Sequence, residues 1–169
     1  QESRGLGDVY KRQLRYRPKT QLLYFNLNAK KVKTAYYQAP RVNIKGSLNI
    51  KKSRLNKTTM TTPYEKVVVN DLSYSGKGIT SHIDFTLSRL DRFARLNRDY
   101  KLSGKTYINH TPKQTKVKLT SKELGTLSLE NRNKVLTLVG KALPIEEIMK
   151  LTDQVVLLKG DLDYKLRYS

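Results

Sequence analysis

Apolar and polar residues alternate along most of this chain. In the last such run, Leu162, Tyr164 and Leu166 alternate with Asp163 and Lys165. Because successive side chains of a strand point to opposite faces, a period of two predicts strands with one dry and one wet face. Alternation of this kind is typical of an antiparallel sheet. The other runs with this pattern are 23–29, 42–50, 83–87, 116–120, 127–129 and 135–139.

Turn-forming residues separate these runs at the spacing of hairpins. Glycine, proline, asparagine and aspartate favour turns because they reach turn conformations easily or bond to nearby backbone. We therefore predict turns at Asn70–Asp71, Ser75–Gly78, Thr111–Pro112, Glu123–Gly125 and Asn131–Asn133.

Three stretches of the chain, 44–50, 102–108 and 158–164, have similar sequences, and each carries a glycine at a nearly constant interval. Gly46, Gly104 and Gly160 lie roughly 57 residues apart, an interval typical of a chain built from one repeated unit. A strand glycine packs nothing, so its recurrence indicates a bend, a bulge or a close backbone approach. We predict that the sheet curls there. The alternative is that the three are unrelated turn glycines.

Two short stretches have apolar residues at helical spacing. In the first, Ser88 is a candidate N-cap. In the second, Pro144 fits the first turn, and Glu146 with Glu147 suits the positive end of the helix dipole. The two predicted helices are 87–97 and 143–153.

These features together predict a mainly β fold. We expect an elongated, curled antiparallel β-sheet that forms a groove, built from repeated units of about 57 residues with two short α-helices. The predicted units are roughly 25–82, 83–138 and an incomplete 139–169.

The first thirteen residues look foreign to this pattern. Asp8–Gln13 has the sequence that a common transposase adapter of sequencing libraries gives on translation, and Gln1–Gly7 resembles the same kind of scar. Such segments are excluded from fold reasoning. We therefore interpret 1–13 as a non-native, adapter-derived scar and 14–169 as a fragment of a repetitive β-groove domain whose upstream part is missing. The alternative is a genuine basic N-terminus.

The chain is strongly basic, with 34 lysines and arginines, 14 acidic residues and a formal net charge of +20. Such a charge first suggests nucleic acid. The basic residues are scattered, however, and residues such as Lys116, Lys118, Lys165 and Arg167 occupy polar positions of alternating strands. No zinc-finger, RNP or helix-turn-helix pattern is present, so nucleic acid is not the favoured partner. There is no cysteine, which excludes disulfides and thiolate metal sites.

Residue patterns for catalysis are missing from the sequence. His82 and His110 have no acidic partner that the sequence identifies, and we expect them on the exposed polar face. Asp161 and Asp163 share a strand face, but neighbouring basic residues favour ordinary cross-strand ion pairs over acid–base chemistry. We therefore expect no enzyme activity, no cofactor and no metal.

Two segments have a characteristic order: an alternating strand, a short leucine-spaced helix, then a glycine-containing strand. They are Ile83–Leu90 leading to Leu102–Ile108, and Ala142–Ile148 leading to Leu158–Tyr164. This order resembles the AsmA and TamB-like proteins of Gram-negative envelopes. The likeness covers 71–169 well and 22–50 poorly. The chain is more basic than that family and has Thr106 where a leucine is usual.

The resemblance implies a long sheet folded lengthwise into a groove that carries phospholipid acyl chains across the periplasm to the outer membrane. It also implies an inner-membrane anchor outside this fragment and an outer-membrane assembly protein as a further partner. The sequence is compatible with this function, because an amphipathic sheet with little helix must bury its dry face on itself, on a neighbour or on a ligand.

The expected site is a collective apolar lining in which no single residue is essential. Ordinary sheet core remains the alternative for each member. The predicted lining residues are Val42, Ile44, Leu48, Ile50, Ile83, Phe85, Leu87, Leu102, Ile108, Val117, Leu119, Leu136, Leu138, Leu162, Tyr164 and Leu166.

Two other functions stay open at this point. One is a basic nucleic-acid-binding β domain, in which Tyr36, Tyr37, Tyr100 and Tyr107 stack bases beside lysines. The other is a structural repeat module with a self-buried core.

Overall fold

The computed structural model describes residues 9–33, 38–92, 96–152 and 159–168. This part of the chain is mainly β, as the alternation predicted. Its strands are β1 (Val9–Arg17), β2 (Leu22–Lys33), β3 (Gln38–Asn49), β4 (Arg54–Leu55), β5 (Thr58–Thr61), β6 (Glu65–Ser75), β7 (Gly78–Leu87), β8 (Leu102–Thr111), β9 (Gln114–Ser121), β10 (Gly125–Arg132), β11 (Val135–Pro144) and β12 (Asp161–Tyr168).

All of these strands belong to one antiparallel sheet that follows chain order from β1 to β12. The short strands β4 and β5 share one position, because both lie between β3 and β6. At about 4.8 Å a strand the sheet is roughly 50 Å wide. The main contacts between strands join sheet neighbours only, so the described residues form one elongated, curled layer.

The register places apolar residues of successive strands on the same face, because directly opposed residues project to the same side of a sheet. In the first half, one row of opposed residues runs Leu27, Ile44, Met60, Val67 and Phe85, from β2 to β7. We call this side of the sheet the apolar face.

A second row continues the apolar face through the rest of the sheet. It runs Ile108, Val117, Leu129, Leu138 and Leu166, from β8 to β12. The residues between them along each strand form the opposite, polar face, where Lys116 lies across from Glu130.

The interior of β6 corrects one turn prediction. Asn70–Asp71 is not a turn, because β6 continues through it, with a register shift between Val69 and Asp71. A bulge of this kind adds one residue to a strand without ending it. The extra residue keeps both Val69 and Leu72 on the apolar face, where they oppose Ile83 and Ser81. The other four predicted turns are confirmed as hairpin connections.

One of the two predicted helices is confirmed. Helix α1 (Ile145–Leu151) begins after Pro144, with Glu146 and Glu147 in its first turn. The other prediction is wrong where the structure describes it. Only Leu90–Arg92 forms a 3-10 turn, while 93–95 lie outside the described residues. Ser88 is not an N-cap, because both its backbone N–H and its hydroxyl donate to the carbonyl oxygen of Tyr64, each at 2.8 Å.

The repeat glycines divide into two groups. Gly46 and Gly104 lie within strands on the apolar face, opposite Phe25 and Phe85. Gly160 lies in the bend just before β12, with φ +133°, so the prediction of a strand glycine is wrong there. Gly160 is in the bend because β11 and β12 are joined by α1 and not by a hairpin.

The segment predicted to be a scar overlaps the first strand. Residues 9–13 belong to β1 and lie opposite residues 26–29 of β2. The origin of 1–13 stays a prediction, since pairing at a free sheet edge needs backbone groups and no particular sequence.

The sheet has almost no closed interior. Among the described residues, the apolar side chains that are buried are Ala39, Val42, Leu90 and Leu143. The chain exposes 12514 Å² of surface, whereas a compact monomer of 19.5 kDa exposes about 8500 Å². The single-layer architecture of the described strands contributes to this excess, because it leaves broad sheet faces uncovered.

Candidate functional site

The apolar face is the candidate site, and the register assigns the predicted lining residues to it. Each of them except Ile50 lies within a strand, and the residues directly opposite it on the neighbouring strands belong to the apolar face. Ile50 follows the end of β3 and is 49% exposed. Whether these residues contact lipid stays a prediction.

Several further residues of the apolar face were missing from the predicted lining. Val67 and Val69 lie on β6. Alternation did not reveal this strand, because the three consecutive valines before the bulge do not alternate with polar residues. Met60 lies on the short strand β5. Leu127 and Leu129 were predicted as strand residues but not as lining, although their alternation was a usable signal.

Small polar residues on this face do not interrupt its apolar character. Ser81, Ser121 and Thr58 are buried. The hydroxyl of Ser81 donates to the carbonyl oxygen of Asp71 at 2.9 Å, and that of Thr58 donates to the carbonyl oxygen of Asn56 at 2.9 Å. The Ser121 hydroxyl donates to a Glu123 carboxylate oxygen at 2.6 Å. Because these donors are satisfied within the protein, they make no demand on a ligand.

The apolar face is most exposed at the two sides of the sheet. On β1, Leu14 is 65% exposed, and on β12, Leu166 and Tyr168 are 61% and 77% exposed. Toward the middle, residues such as Phe85 and Leu119 are half-buried by their neighbours. Large apolar side chains of one face thus meet solvent across the whole width of the sheet.

One end of the sheet is lined by connecting segments, including α1. The backbone N–H of Asn97 donates to the carbonyl oxygen of Leu151 at 2.8 Å, and the Asn97 side-chain amide donates to that of Lys150 at 3.1 Å. These bonds satisfy carbonyl groups at the C-terminal end of the helix, which have no partner inside it. They therefore attach α1 to the connection that precedes β8.

Tyr100 strengthens this attachment. Its hydroxyl donates to Glu147 Oε2 at 2.9 Å. Burial and this bond raise the pKa of Tyr100. Hydrogen bonds from Lys150 and Tyr100 lower the pKa of Glu147. Burial alone would raise the pKa of nearby Glu123, but hydrogen bonds from Ser121 and Ser103 outweigh it and lower that pKa.

The polar face contains an acid–histidine pair that the sequence did not identify. His82 Nδ1 lies 2.8 Å from Asp71 Oδ1, and Arg54 lies 3.5 Å from the other oxygen of Asp71. The hydrogen bond with His82 lowers the pKa of Asp71. The expectation that His82 lacks an acidic partner is therefore wrong. The β6 bulge causes this pairing, because it places Asp71 opposite His82.

The ion pairs predicted for β12 do not form within the described part of the chain. Asp163 instead accepts a hydrogen bond from the backbone N–H of Ala142 at 2.7 Å. Ala142 lies at the register shift of β11, with φ +49°, so its N–H has left the regular ladder. The Asp163 carboxylate therefore accepts the hydrogen bond that a backbone carbonyl oxygen of the neighbouring strand would accept in a regular ladder.

The tyrosines proposed to stack bases are separated by the structure. Tyr100 is bound to Glu147 at the end of the sheet. Tyr107 lies on the polar face against His82, with ring centroids 4.8 Å apart. Tyr36 and Tyr37 lie outside the described residues.

Among the residues that the structure describes, no group of three or more histidine and acidic side chains is placed to hold a metal ion. In the same part of the chain, no helix has the length and apolar character needed to cross a bilayer.

No known protein-family model, curated protein or solved structure matches this chain. The resemblance to the AsmA and TamB-like proteins therefore stays a prediction.

Proposed function

We propose that this protein is a non-enzymatic lipid-transfer or outer-membrane-biogenesis protein of the AsmA/TamB-like type, whose apolar face shields phospholipid acyl chains. Its place of action would be the periplasm of a Gram-negative bacterium. The proposal includes an inner-membrane anchor outside this chain and an outer-membrane assembly protein as partner.

The observation that carries the proposal is the apolar face. One row of opposed aliphatic and aromatic residues runs from β2 to β7 and a second from β8 to β12, and the main contacts of the described strands bring no second layer onto them. Burial of apolar surface stabilises by about 25 cal/mol per Å², so contact of this face with another apolar surface is strongly favourable in free energy. An acyl chain is an apolar ligand that a long, one-sided surface can accommodate without specific polar contacts.

A self-buried repeat module is a weaker candidate. Such a module would bury its aliphatic residues in a closed interior, whereas Val42 and Leu143 are among only four buried apolar residues in the described part of the chain.

A nucleic-acid-binding domain is the second candidate, and the polar face favours it. Lys105 and Lys118 lie there beside Tyr107, an arrangement that allows phosphate contacts next to a stacking ring. Steeply salt-dependent binding of single-stranded DNA, undiminished by changes to the apolar face, would support this candidate.

The test of the lipid proposal is binding of a fluorescent acyl-chain probe to variants of the two faces. A carboxylate on the apolar face should weaken binding about tenfold or more, because one side chain of this size contributes about 1.5–3 kcal/mol when buried. The variants are Phe85→Glu and Leu119→Glu, and the control is Lys116→Ala on the polar face of the same strand as Leu119.

Circular dichroism should show that the variants keep their β content. Leu119→Glu is the second variant in case Phe85→Glu disturbs folding through its contact with Gly104. Loss of binding in Lys116→Ala with full binding in both folded glutamate variants would refute the lipid proposal.

A further inference from the structure

The polar face has two adjoining depressions between β6 and β9. The first, of about 340 Å³, is lined by Asn70, Asp84, Lys105, Tyr107 and Lys118, among others. The second, of about 330 Å³, shares Asp84 and Lys105 with the first and adds Lys122. The two therefore form one shallow groove on the side of the sheet opposite to the apolar face.

Four residues of the groove form a square of hydrogen-bond donors. Lys105 lies directly opposite Thr120, and Tyr107 lies directly opposite Lys118, on neighbouring strands β8 and β9. Opposed side chains of an antiparallel pair start about 5 Å apart, and the diagonal pairs remain within reach of long side chains. The square therefore brings two ammonium groups, a phenol and a hydroxyl to one place.

These donors are not used within the described part of the protein. Neither Lys105 nor Lys118 forms an ion pair there, and the hydroxyls of Tyr107 and Thr120 form no hydrogen bond to another described residue. Lys116, two residues earlier on the same strand, shows the contrast, because its ammonium lies 3.7 Å from Glu130.

The carboxylates nearest to the groove are engaged with other groups. Asp84 lies opposite Lys105 in the register, but its Oδ2 accepts a hydrogen bond from the Asn70 amide at 2.8 Å. Asp71 is paired with His82 and Arg54. Three lysine ammonium groups line the two depressions against the single carboxylate of Asp84, so the groove has an excess of positive charge.

The phenol of the square is held in place by its neighbours. The Tyr107 ring packs against His82 at 4.8 Å between centroids, and His82 is bound to Asp71 at 2.8 Å. Restricted side chains lose little conformational entropy when they bind, so this arrangement favours a defined site over diffuse attraction.

We propose that this square binds the phosphoryl group of a phosphate ester. A phosphoryl group presents several acceptor oxygens and negative charge at one point, which matches two cations and two neutral donors around one centre. The group can belong to an anionic lipid headgroup or to a soluble phosphorylated molecule. Because the square and the apolar face lie on opposite sides of the sheet, this site does not depend on acyl-chain binding.

The test is an NMR titration of the full chain with inorganic phosphate and glycerol phosphate. We expect saturable shifts of the amide signals around Tyr107 and Thr120. The variant Lys105→Ala/Lys118→Ala should bind at least tenfold more weakly. The control Lys45→Ala/Lys66→Ala removes the same charge from the same face, at residues that form no ion pair within the described chain, and should bind within twofold of the parent.

Vesicles distinguish the two sources of the phosphoryl group. Binding to phosphatidylglycerol vesicles, but not to phosphatidylcholine vesicles, that is lost in Lys105→Ala/Lys118→Ala identifies a lipid headgroup. Phosphate binding without such vesicle binding identifies a soluble ligand. Equal weakening in both double variants, or none in either, would overturn the proposed site. Acyl-probe binding should be unchanged in these variants, which separates this result from that for the apolar face.

Discussion

Phe85 lies directly opposite Gly104, and its ring occupies the space above that glycine on the apolar face. A Cβ at position 104 would stand 2.9 Å from the Phe85 ring and 2.5 Å from the carbonyl oxygen of Thr120. The same relation occurs at Phe25 and Gly46. An aromatic ring over a strand glycine covers the exposed backbone and pins the register of the two strands.

Gly104→Ala should therefore destabilise the protein. The methyl group would be forced against both a backbone carbonyl and the Phe85 ring, and overpacking of this kind costs about 1–3 kcal/mol. Urea unfolding measures the change in the free energy of unfolding. Gly76→Ala is the control, because a Cβ there meets no atom within 4 Å, and it should change stability by less than about 0.5 kcal/mol. Equal changes in the free energy of unfolding for Gly104→Ala and Gly76→Ala would show that Phe85 does not pack closely on Gly104.

Asp71→Asn should reduce the free energy of unfolding only at pH values at which the Asp71 carboxylate of the parent protein is ionised. The hydrogen bond with His82 lowers the pKa of Asp71, so folding favours its charged form. Its contribution is then present above the ordinary aspartate pKa of about 3.9 and is lost as the pH falls through the lowered value in the folded protein. Because the pair is partly exposed, we expect at most about 1 kcal/mol.

The measurement for Asp71 is the free energy of unfolding of parent and variant between pH 7 and pH 2. Asp161→Asn is a suitable control, since Asp161 forms no ion pair within the described residues. If the difference in the free energy of unfolding between the parent and Asp71→Asn grew as the pH fell, the assigned pairing of Asp71 with His82 would be contradicted.

Tyr100→Phe should loosen α1 from the sheet. The change removes the hydrogen bond from Tyr100 to Glu147, and such a bond contributes about 1 kcal/mol. Hydrogen exchange of the α1 backbone amides should become several-fold faster, while strands distant from the helix keep their protection. Tyr74→Phe on an exposed tyrosine should leave this exchange unchanged. Unaltered protection of α1 in Tyr100→Phe would show that the backbone bonds from Asn97 alone hold the helix.

Much of the sheet could be predicted because alternation is a local property. The runs through Phe25, Ile44, Leu119 and Leu166 each contain their own period-two signal, and each lies in a strand. Hairpin turns such as Ser75–Gly78 were equally predictable, since glycine and serine act within a few residues.

The remaining features depend on contacts between distant parts of the chain. The Asn70 bulge is favoured by the pairing of β6 with β7, so local turn propensity gave the wrong result there. That same bulge decides the pairing of Asp71 with His82. Gly160 follows Gly104 at the repeat interval, but it lies in a bend and not within a strand, because α1 separates β11 from β12. The square around Tyr107 likewise required the register of β8 with β9.

The most direct measurement places a photoreactive benzoylphenylalanine at two adjacent positions of β9, in the presence of phospholipid. Val117 belongs to the apolar face and Lys116 to the polar face. If the apolar face shields acyl chains, the residue at position 117 cross-links phospholipid and the residue at position 116 does not, when both are placed in Lys105→Ala/Lys118→Ala so that the proposed phosphoryl site is removed. Equal labelling at both positions in that background, or labelling at position 116 alone, would contradict that function.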